Sequence, residues 1–333
     1  MKIIFFGSDP WFSPPVLEAL LEAGHEVPIV VAKQKNIINR QSLIVNRNED
    51  ISIASLRGTF IGSRLSVSDT PDAIVLAAFG PPFLPNEILN WPKYGCLNVH
   101  ASLLPRWRGA SPVFGAMANG DKETGVSIMK MTEEIDLGPV LGQRSLKISQ
   151  PPQKESTFTS WSTSTPVKSD PSGFGRTGDF FQRKKSGSSE DTRETLTRRL
   201  GILGGKLIVE TLKKLENGQI NEVKQPEKSP TSYTHRLTKD SGQIDWKKTP
   251  VEIERFIRAI TPWPGAWTNS KFKTQNSKFK TVRIIINKSH IEPIQNSEFR
   301  IQNYLVIDEV QLPGKNPISW KAFLAGHPGI EFI

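Results

Sequence analysis

Cysteine is almost missing from this chain: one residue, Cys96, in 333. That scarcity excludes an internal disulfide framework and a cysteine-rich zinc or iron–sulfur centre, and it fits a reducing compartment. A small buried apolar side chain is the ordinary role for such a residue. Long apolar runs are also missing. No stretch of about twenty apolar residues is available to cross a bilayer. At the N-terminus, MKIIFFGSDPWF reaches Gly7 and Asp9 after a short apolar run, which is too little for a secretory core. The expectation is a soluble cytoplasmic protein without a membrane partner.

Several familiar chemical signatures are absent too. No Gly-x-Gly-x-x-Gly follows the first apolar run, which argues against a dinucleotide site. His25, His100, His235, His290 and His327 are widely scattered without an i, i+4 pair, so no metal is expected. Ser102 is followed by Leu103, Leu104 and Pro105 in place of the small-residue elbow of a serine hydrolase.

What is present is enough for one large or two moderate globular domains, with 37% hydrophobic and 23% charged residues. The formal charge of +10 is uneven: residues 1–150 carry 14 basic and 14 acidic side chains, and the remainder carries 29 and 19. A neutral unit followed by a basic one is the reading, and an anionic partner suits the second.

Residues 3–6 are Ile, Ile, Phe and Phe, apolar on both faces, followed by Gly7 and an amphipathic stretch over 14–23. Strand, turn, helix is the pattern, with Gly7 placed to lie beside a polar or anionic ligand. Further strands are expected at Val27–Val31, Ala73–Ala78 and Cys96–Val99, which makes an open, mostly parallel α/β sheet of Rossmann-like type. Residues 156–189 hold 14 Ser plus Thr in 34 positions without a packing period and read as a flexible insertion. Leucines from Leu196 to Leu215 then recur at helical spacing up to Gly218. Thus 1–218 is expected to form the first domain. Polar residues 219–232, with Pro226 and Pro230, read as a linker to a small β-rich domain over 233–333, where Val282–Ile286 and Tyr304–Ile307 are strands. There NSKFKT occurs twice, at 269–274 and 276–281, as from an enlarged hairpin. Six basic residues and no acid lie within 271–290. Either they follow a phosphate backbone or they form a solvated basic turn.

The densest chemical signal is YGCLNVHASLLPRWRGASP, residues 94–112. Asn98 and His100 are two apart on an expected strand, so they share a face at the sheet end where open parallel sheets bind ligands. Such a pair either stabilises a developing oxyanion and exchanges a proton, or ties down strand-end backbone groups. Asp136, in the polar turn TEEIDLGPV, reaches the same crevice only through the tertiary fold. It is either a partner to His100 or a turn-stabilising side chain.

The chain resembles the formyltetrahydrofolate-dependent formyltransferases, in particular those that formylate initiator tRNA. The resemblance rests on IIFFGSDPWFS, AAFGPPFLP, LNVHASLLPRWRGASP, GVSIM, EEIDLGPV, THRLTKDSGQIDW and TPWPGAW, and covers nearly everything but the insertion. It implies that Asn98, His100 and Asp136 are the catalytic set and that Ser102, Leu103, Leu104 and Pro105 line a folate site. It also implies that 10-formyltetrahydrofolate is the formyl donor and methionyl initiator tRNA the acceptor, that the second domain is an OB-like β-barrel that binds tRNA, and that the protein is a monomer. A formyltransferase acting on an amino sugar or other small amine is the alternative. The family's Pro, Gly and basic loop after the second strand is replaced by AKQKNIINRQSLIVNRNED over 32–50, with Lys33, Lys35, Arg40 and Arg47 as its basic residues.

Overall fold

The computed structural model describes residues 1–32, 43–46, 70–80, 84–151, 190–273, 279–295, 301–327 and 330–332. The insertion expected over 156–189, most of the 32–50 segment with its four basic residues, and the tip of the tandem repeat lie outside the described residues.

The chain opens with β1 (Lys2–Gly7), α1 (Ser13–Glu22) and β2 (Glu26–Ala32). Short strands β3 (Leu43–Asn46), β4 (Ala73–Ala77) and β5 (Cys96–His100) follow, with one helical turn, α2 (Asn86–Leu89), between the last two. After α3 (Pro112–Ala118) come β6 (Glu123–Lys130) and β7 (Val140–Lys147). The seven strands lie in the order β3-β2-β1-β4-β5-β6-β7. Pairings from β3 to β5 are parallel, and β6 and β7 are added antiparallel. The sheet is therefore mixed, with its order reversing between β1 and β4, next to β5.

Both faces of β1 are buried, as its unbroken apolar run requires. Ile3 and Phe5 join Val16, Leu20, Val75 and Leu97 on one face, while Ile4 and Phe6 join Ile29, Leu76 and Ile88 on the other. Gly7 has a packing role. A side chain there would meet the Phe5 ring at 2.6 Å and Ser13 Cβ at 2.7 Å, so only glycine lets α1 start so close to the strand. The long helix α4 (Arg193–Glu216) begins with a capping box formed by Thr192 and Thr195 and packs on α1 and the β6–β7 hairpin.

The second unit contains α5 (Pro250–Ile260), β8 (Ala266–Lys273), β9 (Phe279–Gln295), β10 (Ile301–Gln311), β11 (Ile318–Ser319), α6 (Trp320–Gly326) and β12 (Glu331–Phe332). Its strands form a smaller antiparallel sheet in the order β11-β10-β9-β8-β12. Parts of the two NSKFKT copies pair across β8 and β9, with Lys271 opposite Thr281 and Phe272 opposite Lys280. Arg283 lies over the Trp267 ring at 3.7 Å, so part of the basic stretch serves packing within the sheet.

A buried polar cluster joins the two units. Arg258 on α5 bonds Glu254 at 2.9 Å and the Asp191 carbonyl at 2.9 Å, and Asp191 also pairs with Arg199 of α4. The residues on either side of the insertion meet at the same place: the Asp191 amide donates to the Ser149 carbonyl at 2.8 Å, and the Ser149 amide donates to the Asp191 carboxylate at 2.7 Å.

Candidate active site

Strand β5 delivers Asn98 and His100 to the carboxyl end of the sheet, where their side chains lie to the same side as the alternation predicts. The loop between β6 and β7 returns beneath them and brings in Asp136. The Asp136 carboxylate is 3.7 Å from His100 Nδ1 and accepts from the Asn98 side-chain amide at 3.4 Å. The structure thus brings together the three residues named from sequence. His100 is 6% exposed and Asp136 12%, so the group is shielded from bulk water but not sealed.

Two backbone positions at the site are left-handed without being glycine: Trp107 at φ 55° and Asp136 at φ 54°. Such positions are costly and persist only where neighbours hold them. Asp136 is held through its carboxylate, which accepts the Gly109 amide proton at 2.7 Å, and through its carbonyl, which accepts from Gln225 at 3.0 Å. Trp107 donates its amide to Thr231 at 2.7 Å, and its indole donates to Asp121 at 2.7 Å. Its carbonyl lies 3.2 Å from His100 Nε2.

That last contact orients the imidazole. A carbonyl only accepts, so Nε2 carries a proton, and Nδ1 is the ring nitrogen that faces Asp136. The Trp107 carbonyl and the Asp136 carboxylate thus lie at the two nitrogens of the ring, the first at Nε2 and the second beside Nδ1.

The residues expected to line a folate site divide. Ser102 is fully buried and donates to the Arg106 carbonyl at 2.6 Å, and Leu104 is buried with Met129 and Val140. These two shape the loop from inside. Leu103 and Pro105 are partly exposed. Leu103 lines a cleft of about 330 Å³ with Arg106, Trp107, Asp121, Lys122, Glu123 and Thr124. Asn98, His100 and Asp136 do not line that cleft, but Trp107, which does, touches His100 through its carbonyl.

Sequence reasoning missed the contribution of residues 219–232. Read as a polar linker, this segment is laid against the loop that follows β5. Val223 pairs with Val140, Ser229 donates to the Pro105 carbonyl at 2.7 Å, and Thr234 bridges Gly109 just beyond the segment. A side chain at Gly109 would run into the Thr234 carbonyl, so glycine is required there. Proline content and polarity resemble those of a tether, and no periodic signal marks a segment anchored by single long-range hydrogen bonds. Cys96 is buried against α2, with its thiol pushed up to about 12 by desolvation, and is inert. Among the described residues no group of three or more His, Cys, Asp or Glu side chains is arranged to hold a metal ion, and no helix is long and apolar enough to cross a membrane.

Comparison with known proteins gives the family. Residues 1–162 match the formyl transferase family and residues 236–328 match the formyl transferase C-terminal domain family. The methionyl-tRNA formyltransferase of Gluconobacter oxydans is 35% identical over 345 residues, covering 98% of this chain and 97% of that protein. That of Enterococcus faecalis is 33% identical, covering 98% and 96%. Among solved structures, HypX from Aquifex aeolicus in complex with tetrahydrofolic acid superposes with a TM-score of 0.57 at 15% identity. The alignment covers 97% of this chain, which spans about half of HypX, 47% of its length. A 4-N formyltransferase from Francisella tularensis gives 0.50 at 17% identity, covering 84% of this chain and 96% of that one. At such identities these two structures bear on the fold alone. The family matches and the full-length sequence relatives show that this chain belongs to the formyltetrahydrofolate-dependent formyltransferases, enzymes of formyl-group transfer.

Proposed function

We propose that the protein is a methionyl-tRNA formyltransferase, moving the formyl group of 10-formyltetrahydrofolate to the α-amine of methionine on initiator tRNA. The observation that carries the reading is the meeting of Asn98, His100 and Asp136 at the end of β5, within 3.4–3.7 Å of a shared carboxylate. The choice of acceptor is supported by relatives of that name that align through both units. In this reading residues 1–218 are the catalytic domain, 219–232 the linker, and 233–333 an OB-like barrel whose basic surface holds tRNA.

The chemistry follows from the groups present. The acceptor amine attacks the formyl carbon, a carbon–nitrogen bond forms, and negative charge grows on the formyl oxygen. The Asn98 amide is the donor available to that oxygen, joined by His100 Nδ1–H once that nitrogen has taken up the amine proton. The Asp136 carboxylate and the His100 Nδ1 lone pair receive the amine proton. That proton then leaves with the donor nitrogen as the old carbon–nitrogen bond breaks. Asn98, His100 and Asp136 thus act without a covalent enzyme intermediate. Leu103 and Pro105 remain the candidates for folate contact, being the two of the four that keep partial exposure.

The test is a transfer assay with 10-formyltetrahydrofolate and three acceptors in parallel: methionyl initiator tRNA, methionyl elongator tRNA and an amino sugar. Preferential formylation of the initiator is the expected result. Formylation of the amino sugar with neither tRNA modified would overturn the assignment and favour the small-amine alternative.

A further inference from the structure

Arg108 is the largest fully buried side chain among the described residues, and no carboxylate pairs with it there. Its guanidinium meets only neutral acceptors, all from three consecutive residues of the 219–232 segment. Nε and Nη2 donate to Gln225 Oε1 at 3.3 and 3.0 Å, Nη2 donates to the Pro226 carbonyl at 2.7 Å, and Nη1 donates to the Glu227 carbonyl at 3.0 Å. A buried cation without a counter-ion is expensive, and a mere tether between domains does not need one.

The far end of Gln225 shows what the arrangement holds. Its Nε2 donates to the Asp136 carbonyl at 3.0 Å and to the Gly138 carbonyl at 2.7 Å. The amide cannot be turned over: its oxygen faces only guanidinium donors and its nitrogen faces only carbonyl acceptors. One side chain therefore spans both flanks of the turn that keeps Asp136 left-handed. Gly138 is itself confined, since a side chain there would run into the Lys130 carbonyl.

We propose that Gln225 is a positioning residue for Asp136, with the buried Arg108 fixing Gln225 in turn, so that the segment between the two units sets the geometry of the catalytic carboxylate. This rests on the formyl-transfer role assigned to Asp136 above. A purely structural Gln225 serves only to cover the Arg108 charge. A positioning Gln225 serves through its two N–H donors.

Gln225→Glu separates these roles. It keeps the shape and gives Arg108 a full counter-charge, yet it replaces both donors with an acceptor aimed at two carbonyls. Gln225→Ala removes the donors without adding charge. Steady-state formyl transfer is measured for both, beside wild type and Asp136→Ala, with melting followed by circular dichroism and each protein assayed well below its own midpoint. The expected result for both variants is a folded protein with kcat lowered about 10- to 100-fold and acceptor KM within about twofold, since a small misplacement of a reacting group costs that much. A folded Gln225→Glu or Gln225→Ala with wild-type kcat overturns the proposal. So does failure of both to fold, which would make the role structural. If wild type transfers no formyl group, or Asp136→Ala matches wild type, the functional reading fails. An active wild type and an inactive Asp136→Ala, with normal Gln225 variants, would remove the positioning role alone.

Discussion

At the scale of single residues, the chemistry assigned to the site has direct tests. Asp136→Asn keeps the shape of the side chain and removes the base, so kcat is expected to fall by about 10²- to 10⁴-fold with the melting temperature little changed. Asn98→Ala, which removes a donor, is expected to lower kcat by about 10²- to 10³-fold. Near-wild-type turnover in either variant would take that residue out of the mechanism. Far from the site, His290 on β9 lies between Asp308 at 2.9 Å and Glu292 at 3.3 Å. The hydrogen bond to Asp308 is the main cause raising its pKa above 6.5. The folded chain therefore holds that proton where the unfolded chain has released it. The pair stabilises fully below pH 6.5, and its contribution is lost as pH rises through the raised value. Denaturant titrations across that window are expected to show a gentle decline that His290→Gln flattens; an identical slope in the variant would remove the pair as its cause.

At the scale of elements, what the sequence made legible depended on how each element is buried. Strands β1, β2 and β4 sit inside a sheet covered on both faces, and their apolar runs declared them, as Cys96, Leu97 and Val99 declared β5. Strand β9 runs for 17 residues, but only Val282–Ile286 was expected. Its second half, NKSHIEPIQ, is polar and contains Pro293, so pairing with β10 sustains what local composition conceals. Strand β3 inside the 32–50 segment was hidden for the opposite reason, being four residues long at a sheet edge. Helix α5 went unread despite a capping box at Thr249 and Glu252 with Pro250 in its first turn, a signal that was available. Within the site, strand alternation made Asn98 and His100 readable as a pair. Asp136 was named from its polar turn only as one of two alternatives, which the family resemblance decided, and Gln225 not at all, because its contacts are 87 and 89 residues away. The paired residues Ser149 and Asp191 give the insertion a closed base in the folded chain. Replacing residues 152–189 with a short glycine–serine loop is accordingly expected to leave both melting and formyl transfer close to wild type. A large loss of transfer in a folded variant would instead assign the insertion a contact role.

At the scale of the whole molecule, charge and connectivity point to one arrangement. The neutral first half carries the candidate chemistry, and the net positive charge follows residue 150. Binding of initiator tRNA is expected to weaken steeply with salt, the logarithm of affinity falling linearly with the logarithm of salt concentration as counterions are released. A flat titration would separate the basic half from tRNA recognition. Connectivity matters as much as charge. Trp107 leans on Thr231, Gly109 pairs with Thr234, and Gln225 reaches the turn of Asp136, so loops of the first unit and the segment leading into the second share one set of hydrogen bonds. Anyone dividing this enzyme should therefore cut after His235, not at Gly218, where the long helix ends. A fragment stopping at Gly218 is expected to be inert for want of its own scaffolding, and a chimera of related enzymes to work only when residues 223–234 travel with the N-terminal parent.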